Sequence, residues 1–359
     1  MYKNLFTAII LFLQAFSAIS QNRTASSTTL LNDLVKNKIA VGAAGSYSIN
    51  GVVTWETTSG YADLENKEIF TLDTHIRTAS IAKSMTAVAV MQLAEHGLID
   101  INLPIDTYIP EFIQKHKTKI TTKHILSHTS GIRAYRNESE TENQINYTSL
   151  FEAYEVFKNR KLFFEPGTKY SYTSYGYVVL GLLIEKVSGL SYEAYMQKYI
   201  WDKAEMTQTG IEKREIELKN ATTLYHRDDR GNLKKAKPNN LSNRVPGGGF
   251  YSTVNDLIKF GNALINHHFI SEETFSLMID YNNLKNVNSR YGLGFRLYGD
   301  EQNKNDIIGH SGSQTGTSTQ LFVIPNLKTV VVVVANTSGS SSEVSKVARE
   351  LIATSQQHD

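Results

Sequence analysis

Apolar and polar positions alternate, and then bunch, in a way that divides the chain into three. Near the start, Leu30, Leu31, Leu34 and Val35 recur at helical spacing. Two strand-like runs follow, Ala40 to Ile49 and Val52 to Tyr61, separated by Asn50-Gly51, a pair that favours a tight hairpin turn. A short strand from Thr74 to Arg77 leads into a helix that carries Met85, Val88 and Leu93 and stops near Gly97. The middle third is helical in texture, with helices predicted over Thr121–Ser127, Ser149–Asn159, Gly176–Ser188 and Ser191–Ala204. The stretches Ile99–Pro110 and Asn137–Tyr147 read as surface loops, the second polar and mobile.

Strand character returns briefly at Thr223–Arg227. A helix is expected over Val254–Asn266, capped by Ser252 or Thr253. Strands are then expected at Tyr291–Tyr298, Asp306–His310, Thr317–Ile324 and Thr329–Ala335, the last two joined by a turn at Pro325-Asn326. The unbroken valines Val330 to Val334 suit a strand covered on both faces. Val344, Val347, Ala348, Leu351 and Ile352 give the last helix one apolar face. Strands at both ends with helices between them predict an α/β (α+β sandwich) fold. One antiparallel sheet is flanked by N- and C-terminal helices (lobe about 30–100 and 245–355), and a mainly helical lobe is inserted at about 101–244.

Composition adds exclusions. With 41% hydrophobic residues, 20% charged residues and a net charge of +2, the chain has core-forming material and no bias toward nucleic acid or a membrane surface. Lys234-Lys235-Ala-Lys237 is short enough to be a solvated turn. The first twenty residues differ: Lys3, the apolar run Leu5–Leu13 and Ala18-Ile-Ser20 before Gln21 have the layout of a signal peptide, leaving 21–359 as one catalytic unit. Cysteine is absent, which excludes a thiol nucleophile, thiolate metal sites and disulfides. An exported, cysteine-free chain fits a bacterial periplasm or the medium.

The candidate chemistry begins at Ser80-Ile-Ala-Lys83, the one Ser-x-x-Lys in the chain. Residues three apart on a helix share a face, so this hydroxyl and this amine can meet. A serine needs a base to become a nucleophile, and a lysine serves as one if burial lowers its pKa. The helix N-terminus adds positive potential and free N–H groups at the same point. Tyr172 and Ser174 lie on a loop just before a helix, where a phenol can give or take a proton. Gly309-His310-Ser-Gly312-Ser313 sits late in the chain at an expected junction of strands, where glycines admit a close neighbour.

Weaker constellations compete. His124 and His128 are four apart but lack the glutamate and third ligand of a zinc hydrolase, so no metal or other cofactor is expected. Pro246-Gly-Gly-Gly249 has no phosphate-loop lysine, and no Gly-x-Ser-x-Gly elbow occurs. Tyr281-Asn-Asn283 matches a Tyr-x-Asn pattern outside the turn-and-helix context.

Ser80-x-x-Lys83, Tyr172-Thr-Ser174 and His310-Ser-Gly312, in that order, resemble the serine β-lactamase and penicillin-binding-protein superfamily, on its class C-like side. Ile76 to Ser84, His128 to Arg133 and Gly60 to Asp63 are similar to the mitochondrial β-lactamase-like serine proteases and their bacterial relatives. The resemblance implies acylation of Ser80, proton acceptance by Lys83 and proton transfer through Tyr172. It implies an oxyanion hole from the N–H groups of Ser80 and Ser313, with His310 and Gly312 replacing the Lys-Thr-Gly that steers a substrate carboxylate. Ser174 stands where the family more often has asparagine. The expected substrates are small amides, peptides or esters, among them D-alanyl peptides, and oligomers are compatible. A rival reading is a catalytically weak or inactive protein of the same fold that binds or forms filaments.

Overall fold

The structure, a computed structural model, describes residues 24–356 apart from 113–117, 282–286, 288, 301 and 304–305. The signal-peptide pattern and most of the Tyr281-Asn-Asn283 match lie outside the described residues. Strands β1 (Gly42–Ile49) and β2 (Val52–Asp63) form the expected hairpin. Asn50 and Gly51 at its tip have φ of 51° and 80°, the left-handed pair that a two-residue turn requires. Beyond β3 (Glu68–Ile69) the sheet resumes only in the last third of the chain, with β4 (Arg296–Leu297), β5 (Ile308–Gln314), β6 (Thr317–Ile324) and β7 (Thr329–Ala335). The order is β3-β2-β1-β7-β6-β5-β4, with antiparallel neighbours throughout. β1 pairs with β7 from Ile49↔Thr329 to Ala43↔Ala335, so the two halves of the chain meet at the middle of the sheet.

Five helices cover this sheet or carry the reactive side chains: α1 (residues 24–36), α2 (Ile81–Glu95), α3 (Ser174–Ser188), α4 (Val254–Ile265) and α5 (Ser341–Gln356). The valine run of β7 serves two cores. Val331 and Val333 pack with Leu31, Leu34 and Val344 from α1 and α5. Val330, Val332 and Val334 belong to the larger core that holds α2, α3 and α4. All five valines are fully buried, as expected of a central strand with helices on both faces. α2 is the innermost helix: every residue from Ile81 to Leu93 is buried, so it has no solvent-facing stripe. Thr253 is the residue that caps α4, accepting from the Asp256 N–H.

Several expected boundaries move, each for a local reason. The strand expected at Tyr291–Tyr298 shrinks to Arg296–Leu297, because the chain turns sharply on the surface of α2. Gly294 has a φ of 91°, and a Cβ there would lie 2.1 Å from the Cβ of Ala87. β5 runs through to Gln314, so Gly309 to Ser313 lie inside a strand and the turn falls at Thr315-Gly316. The strand before Ser80 is only Ile76–Arg77 and joins Phe250–Ser252 and Gly210–Ile211 in a separate small sheet. The helix expected over Ser149–Asn159 covers Leu150–Glu155, and that over Ser191–Ala204 is broken into three short turns.

The stretch Asn137–Tyr147 is not the mobile loop its polarity suggested. It contains a short helix, Glu138–Thr141, whose Glu140 carboxylate accepts from Arg160 at 2.6 and 3.0 Å and from the Tyr175 hydroxyl at 3.1 Å. Its backbone is held as well. The Arg244 guanidinium donates to the carbonyls of Glu140 and Thr141, and Asn143 donates to the Asn240 carbonyl.

Gly294→Ala combines a strained left-handed backbone with an overpacked contact and should destabilise the protein by about 2–4 kcal/mol. The shift in urea midpoint at unchanged m-value measures it, and an unchanged midpoint would show that the turn relaxes freely.

Candidate active site

The site is organised by the junction between the Ile76–Arg77 strand and α2. Ala79 has a φ of 48°, an uncommon conformation for a residue with a Cβ, and the reversal there leaves Ser80 half-buried at the N-terminal end of α2. Both sides hold the reversal. The Thr78 N–H donates to the Phe250 carbonyl at 2.9 Å, and the Thr319 hydroxyl donates to the Thr78 carbonyl at 3.1 Å. β5 presses directly against it. A Cβ at Gly312 would lie 2.6 Å from the Thr78 oxygen and 2.9 Å from the Ala79 Cβ, so only glycine lets the strand pass this close to the serine.

One helical turn on, the Lys83 amine is fully buried and has three neighbours within hydrogen-bond reach. Nζ lies 2.5 Å from the Gly247 carbonyl, 3.0 Å from Ser174 Oγ and 3.2 Å from Ser80 Oγ. Burial, and then the guanidinium charges of Arg244 and Arg296, hold its pKa well below the usual lysine range. A neutral amine has two hydrogens and one lone pair. The Gly247 carbonyl can only accept, so one hydrogen of the amine goes there, while the hydroxyls of Ser174 and Ser80 can each accept from the amine or donate to it. In its unprotonated form the amine has a lone pair within reach of the Ser80 hydroxyl.

Ser174 is a hydrogen-bond partner of the lysine, nearly buried at the first turn of α3. Its approach requires Gly247, where a Cβ would come within 3.1 Å of the Ser174 carbonyl oxygen. Tyr172 lies with its ring face toward Lys83, Nζ being 4.8 Å from the ring centre. Burial pushes its phenol well above the usual range, offset in part by the nearby Ser80 hydroxyl and by Arg296. The phenol oxygen is buried and lies outside hydrogen-bonding geometry with any described group, Ser80 included. It is a neutral donor aimed at the site with its proton uncommitted.

His310 differs from the expectation of a carboxylate-steering cation. It is buried, and burial, reinforced by the nearby Arg296 guanidinium, lowers its pKa well below the usual imidazole value. Nδ1 lies 2.6 Å from the Ser311 carbonyl, which can only accept, so Nδ1 carries the proton. Nε2 lies 3.0 Å from the Tyr291 hydroxyl, which can donate to it or accept from it. Both ring nitrogens have hydrogen-bond partners. The cation at this end of the site is Arg296, whose guanidinium stacks 5.4 Å from the Tyr172 ring centre and forms no ion pair among the described residues. Its Nε is buried without a partner among them. Ser313 is exposed on β5, beyond the Ile308–Gly309 segment that pairs with β4, so the strand edge beside Ser80 is open.

The two histidines of the zinc alternative are used elsewhere. His124 Nδ1 accepts from the Thr121 N–H at 3.2 Å in a capping box, and His128 Nδ1 accepts from the Thr173 N–H at 3.2 Å. His128 lies beyond the helix end with a φ of 58°, so the two rings do not share a helical face. It packs instead among the rings of Tyr172, Tyr177 and Tyr291. Sequence reading missed Arg296, Arg244, Tyr291 and Gly247. Of these only Gly247 stood in a noticed motif, and there it was weighed only as a phosphate loop.

This fold places the chain among the beta-lactamase-related serine hydrolases, a class that includes penicillin-binding proteins. The chain belongs to the beta-lactamase family, whose model matches residues 30–355. It is 27% identical to the human mitochondrial serine beta-lactamase-like protein LACTB, over 84% of this chain and 72% of that one. It is also 27% identical to penicillin-binding protein 4* of Bacillus subtilis, over 78% of this chain and 65% of the relative. Among solved structures, the octameric penicillin-binding protein homologue from Pyrococcus abyssi matches with a TM-score of 0.79 at 25% identity, covering 92% and 77% of the two chains. The D-amino acid amidase of Ochrobactrum anthropi matches in fold with the same TM-score of 0.79 at 21% identity, over 92% of this chain and 99% of that one. Among the described residues no helix is long and apolar enough to cross a membrane.

Removing one of the two guanidinium charges should let Lys83 protonate more readily. In Arg296→Gln its titration, followed by NMR of the labelled side chain, should move to higher pH. A titration unchanged from the parent would show that the Arg296 charge has no part in setting it.

Proposed function

We propose that the protein is a serine hydrolase that works through an acyl-enzyme on Ser80 and cleaves small amides, peptides or esters, D-alanyl peptides among them. The observation that carries this reading is the buried Lys83, whose Nζ lies 3.2 Å from Ser80 Oγ and whose pKa is held well below the usual lysine range by burial and by Arg244 and Arg296.

Lys83 takes the Ser80 proton as Oγ bonds to the substrate carbonyl carbon. The carbonyl oxygen becomes an oxyanion held by the backbone N–H groups of Ser80 and Ser313. As the bond to the leaving amine or alcohol breaks, Tyr172 donates its proton to that group and regains one from Lys83, which returns the amine to its neutral state. Water then hydrolyses the Ser80 ester with Lys83 again as base. Arg296, rather than His310, supplies the charge for a substrate carboxylate, because His310 is buried and both its nitrogens have hydrogen-bond partners. His310 orients Tyr291, which packs against His128 beneath Tyr172. The relatives' names support the substrate class: one is a penicillin-binding protein and one neighbour a D-amino acid amidase. The pattern over residues 1–20 and the absence of cysteine support export, with residues 21–359 acting as one catalytic unit.

Acylation needs the unprotonated amine, so its rate should rise with pH and level off once Lys83 is neutral, far below the pH a free lysine would need. A fluorophosphonate probe should label the folded protein at Ser80. Ser80→Ala should abolish labelling, and Lys83→Met should slow it about 10²–10⁴-fold, the usual contribution of a general base. Equal labelling of Ser80→Ala and the parent would overturn the assignment.

A further inference from the structure

Tyr172, the proton donor of the proposed reaction, has nothing at its tip to hold it: the hydroxyl is buried without a hydrogen-bond partner among the described residues. Its place is fixed from behind, and His128 supplies the hold. The His128 carbonyl accepts from the Ser171 N–H at 2.9 Å, and its ring Nδ1 accepts from the Thr173 N–H at 3.2 Å. One residue thus brackets the backbone on both sides of Tyr172. The same ring centre lies 4.3 Å from that of Tyr172, closer than those of His310 and Tyr291 at 6.0 and 6.2 Å. The His128 ring is itself backed by Tyr291 at 4.6 Å and Tyr177 at 5.3 Å.

The local backbone does not call for a histidine. His128 lies two residues past the short helix Thr122–Leu126 with a φ of 58°, the left-handed position where helix ends usually place glycine. A side chain there carries strain that glycine would avoid. The ring adds a second cost. Because Nδ1 accepts, the neutral ring carries its hydrogen on Nε2, and Nε2 is buried without a partner among the described residues. Burial opposes the charged form and lowers the pKa well below the usual imidazole value, which keeps the Nδ1 lone pair for the Thr173 N–H. The turn explains neither the strained backbone nor the unsatisfied donor; the placement of Tyr172 explains both.

We propose that His128 is the positioning residue for Tyr172: it brackets the backbone at 171–173 and backs the ring, which aims the phenol proton at the group leaving the acyl carbon. The consequence for the chemistry rests on the Ser80 reading, whereas the hold on Tyr172 does not, and the test separates the two. Acetylation of Ser80 is followed with two esters that leave the same acetyl group. One is p-nitrophenyl acetate, whose phenolate departs without a proton; the other is ethyl acetate, whose ethoxide takes one from Tyr172. His128→Phe keeps a ring and removes the acceptor. It should lower kcat/KM for ethyl acetate about 10- to 100-fold, the scale of a displaced general acid, and that for p-nitrophenyl acetate less than about threefold. His128→Asn, whose side-chain oxygen falls near the place of Nδ1 and which tolerates a left-handed backbone, should recover most of the loss. In a Tyr172→Phe background His128→Phe should have no further effect on either ester. His128→Gln, with its oxygen one bond further out, takes the place of His128→Phe if that variant does not fold. Equal losses for the two esters, or a loss that persists without the Tyr172 hydroxyl, would overturn the positioning role. The hold is also read without chemistry, in protein labelled with fluorotyrosine. The fluorine resonance of residue 172, assigned by its loss in Tyr172→Phe, should be sharp in the parent and in His128→Asn and should broaden or split in His128→Phe. A line unchanged in His128→Phe would overturn the role whatever the kinetics show. Absence of Ser80-dependent acetylation, with the resonance behaving as expected, would overturn only the hydrolase reading.

Discussion

A lysine amine out of contact with water is the constraint to which the rest of the site conforms. Burying it as an ammonium would cost several kcal/mol, which one carbonyl and two hydroxyls do not recover. The protein therefore stabilises the neutral form, and it keeps positive charge near without pairing it. Arg244 directs its donors to the carbonyls of Glu140 and Thr141, while Arg296 lies along the Tyr172 ring with no carboxylate partner among the described residues. Nor is any described acid hydrogen-bonded to Lys83. A carboxylate there would restore the ammonium and consume the lone pair within reach of Ser80. This also accounts for a helix such as α2, which is buried on every side although it carries both residues: solvent on any face near Lys83 would stabilise the charged form.

The site is assembled from distant segments, and polar side chains fix their spacing. Arg77, three residues before Ser80, is buried and forms a bidentate pair with Glu212. The same guanidinium donates to Asn239 at 2.6 Å and to the Thr315 carbonyl at 3.0 Å. One side chain thus links the strand entering α2, the segment before Arg244 and the turn that ends β5. Glu142 reaches the same turn through the Thr315 hydroxyl, so the short helix at Glu138–Thr141 is locked to β5 on one side and to Arg160 on the other. Because each guanidinium donor is used, shifting one segment would leave a buried charge short of partners, and this makes the arrangement resistant to drift.

What the sequence showed follows from how local each signal is. The Asn50-Gly51 hairpin, the doubly covered valine strand and the Ser80–Lys83 spacing depend on residues within one element, and each is found in place. The strand at Tyr291–Tyr298 failed because Gly294 answers to Ala87, far away in the chain, and no window of sequence contains that contact. Asn137–Tyr147 looked mobile because its residues are polar, yet those groups find partners in Arg160, Tyr175, Asn240 and Arg244. Arg296 was invisible for the same reason: an arginine in a glycine-rich stretch signals nothing until the fold lays it on Tyr172.

His310 shows how a change in one residue moves a function to another. In a Lys-Thr-Gly strand the cation belongs to the strand itself. Here the imidazole at that position is buried and donates to its neighbour's carbonyl, and burial opposes its charged form. A lysine ammonium and a histidinium this close would also repel. A neutral histidine on β5 therefore protects the neutral lysine on α2, and the permanent charge moves to Arg296. An arginine stays protonated under any condition in which Lys83 must not be. In the proposed reaction, keeping the charged group and the proton-accepting group on separate residues would let a single cleft hold an anion and accept a proton at the same pH.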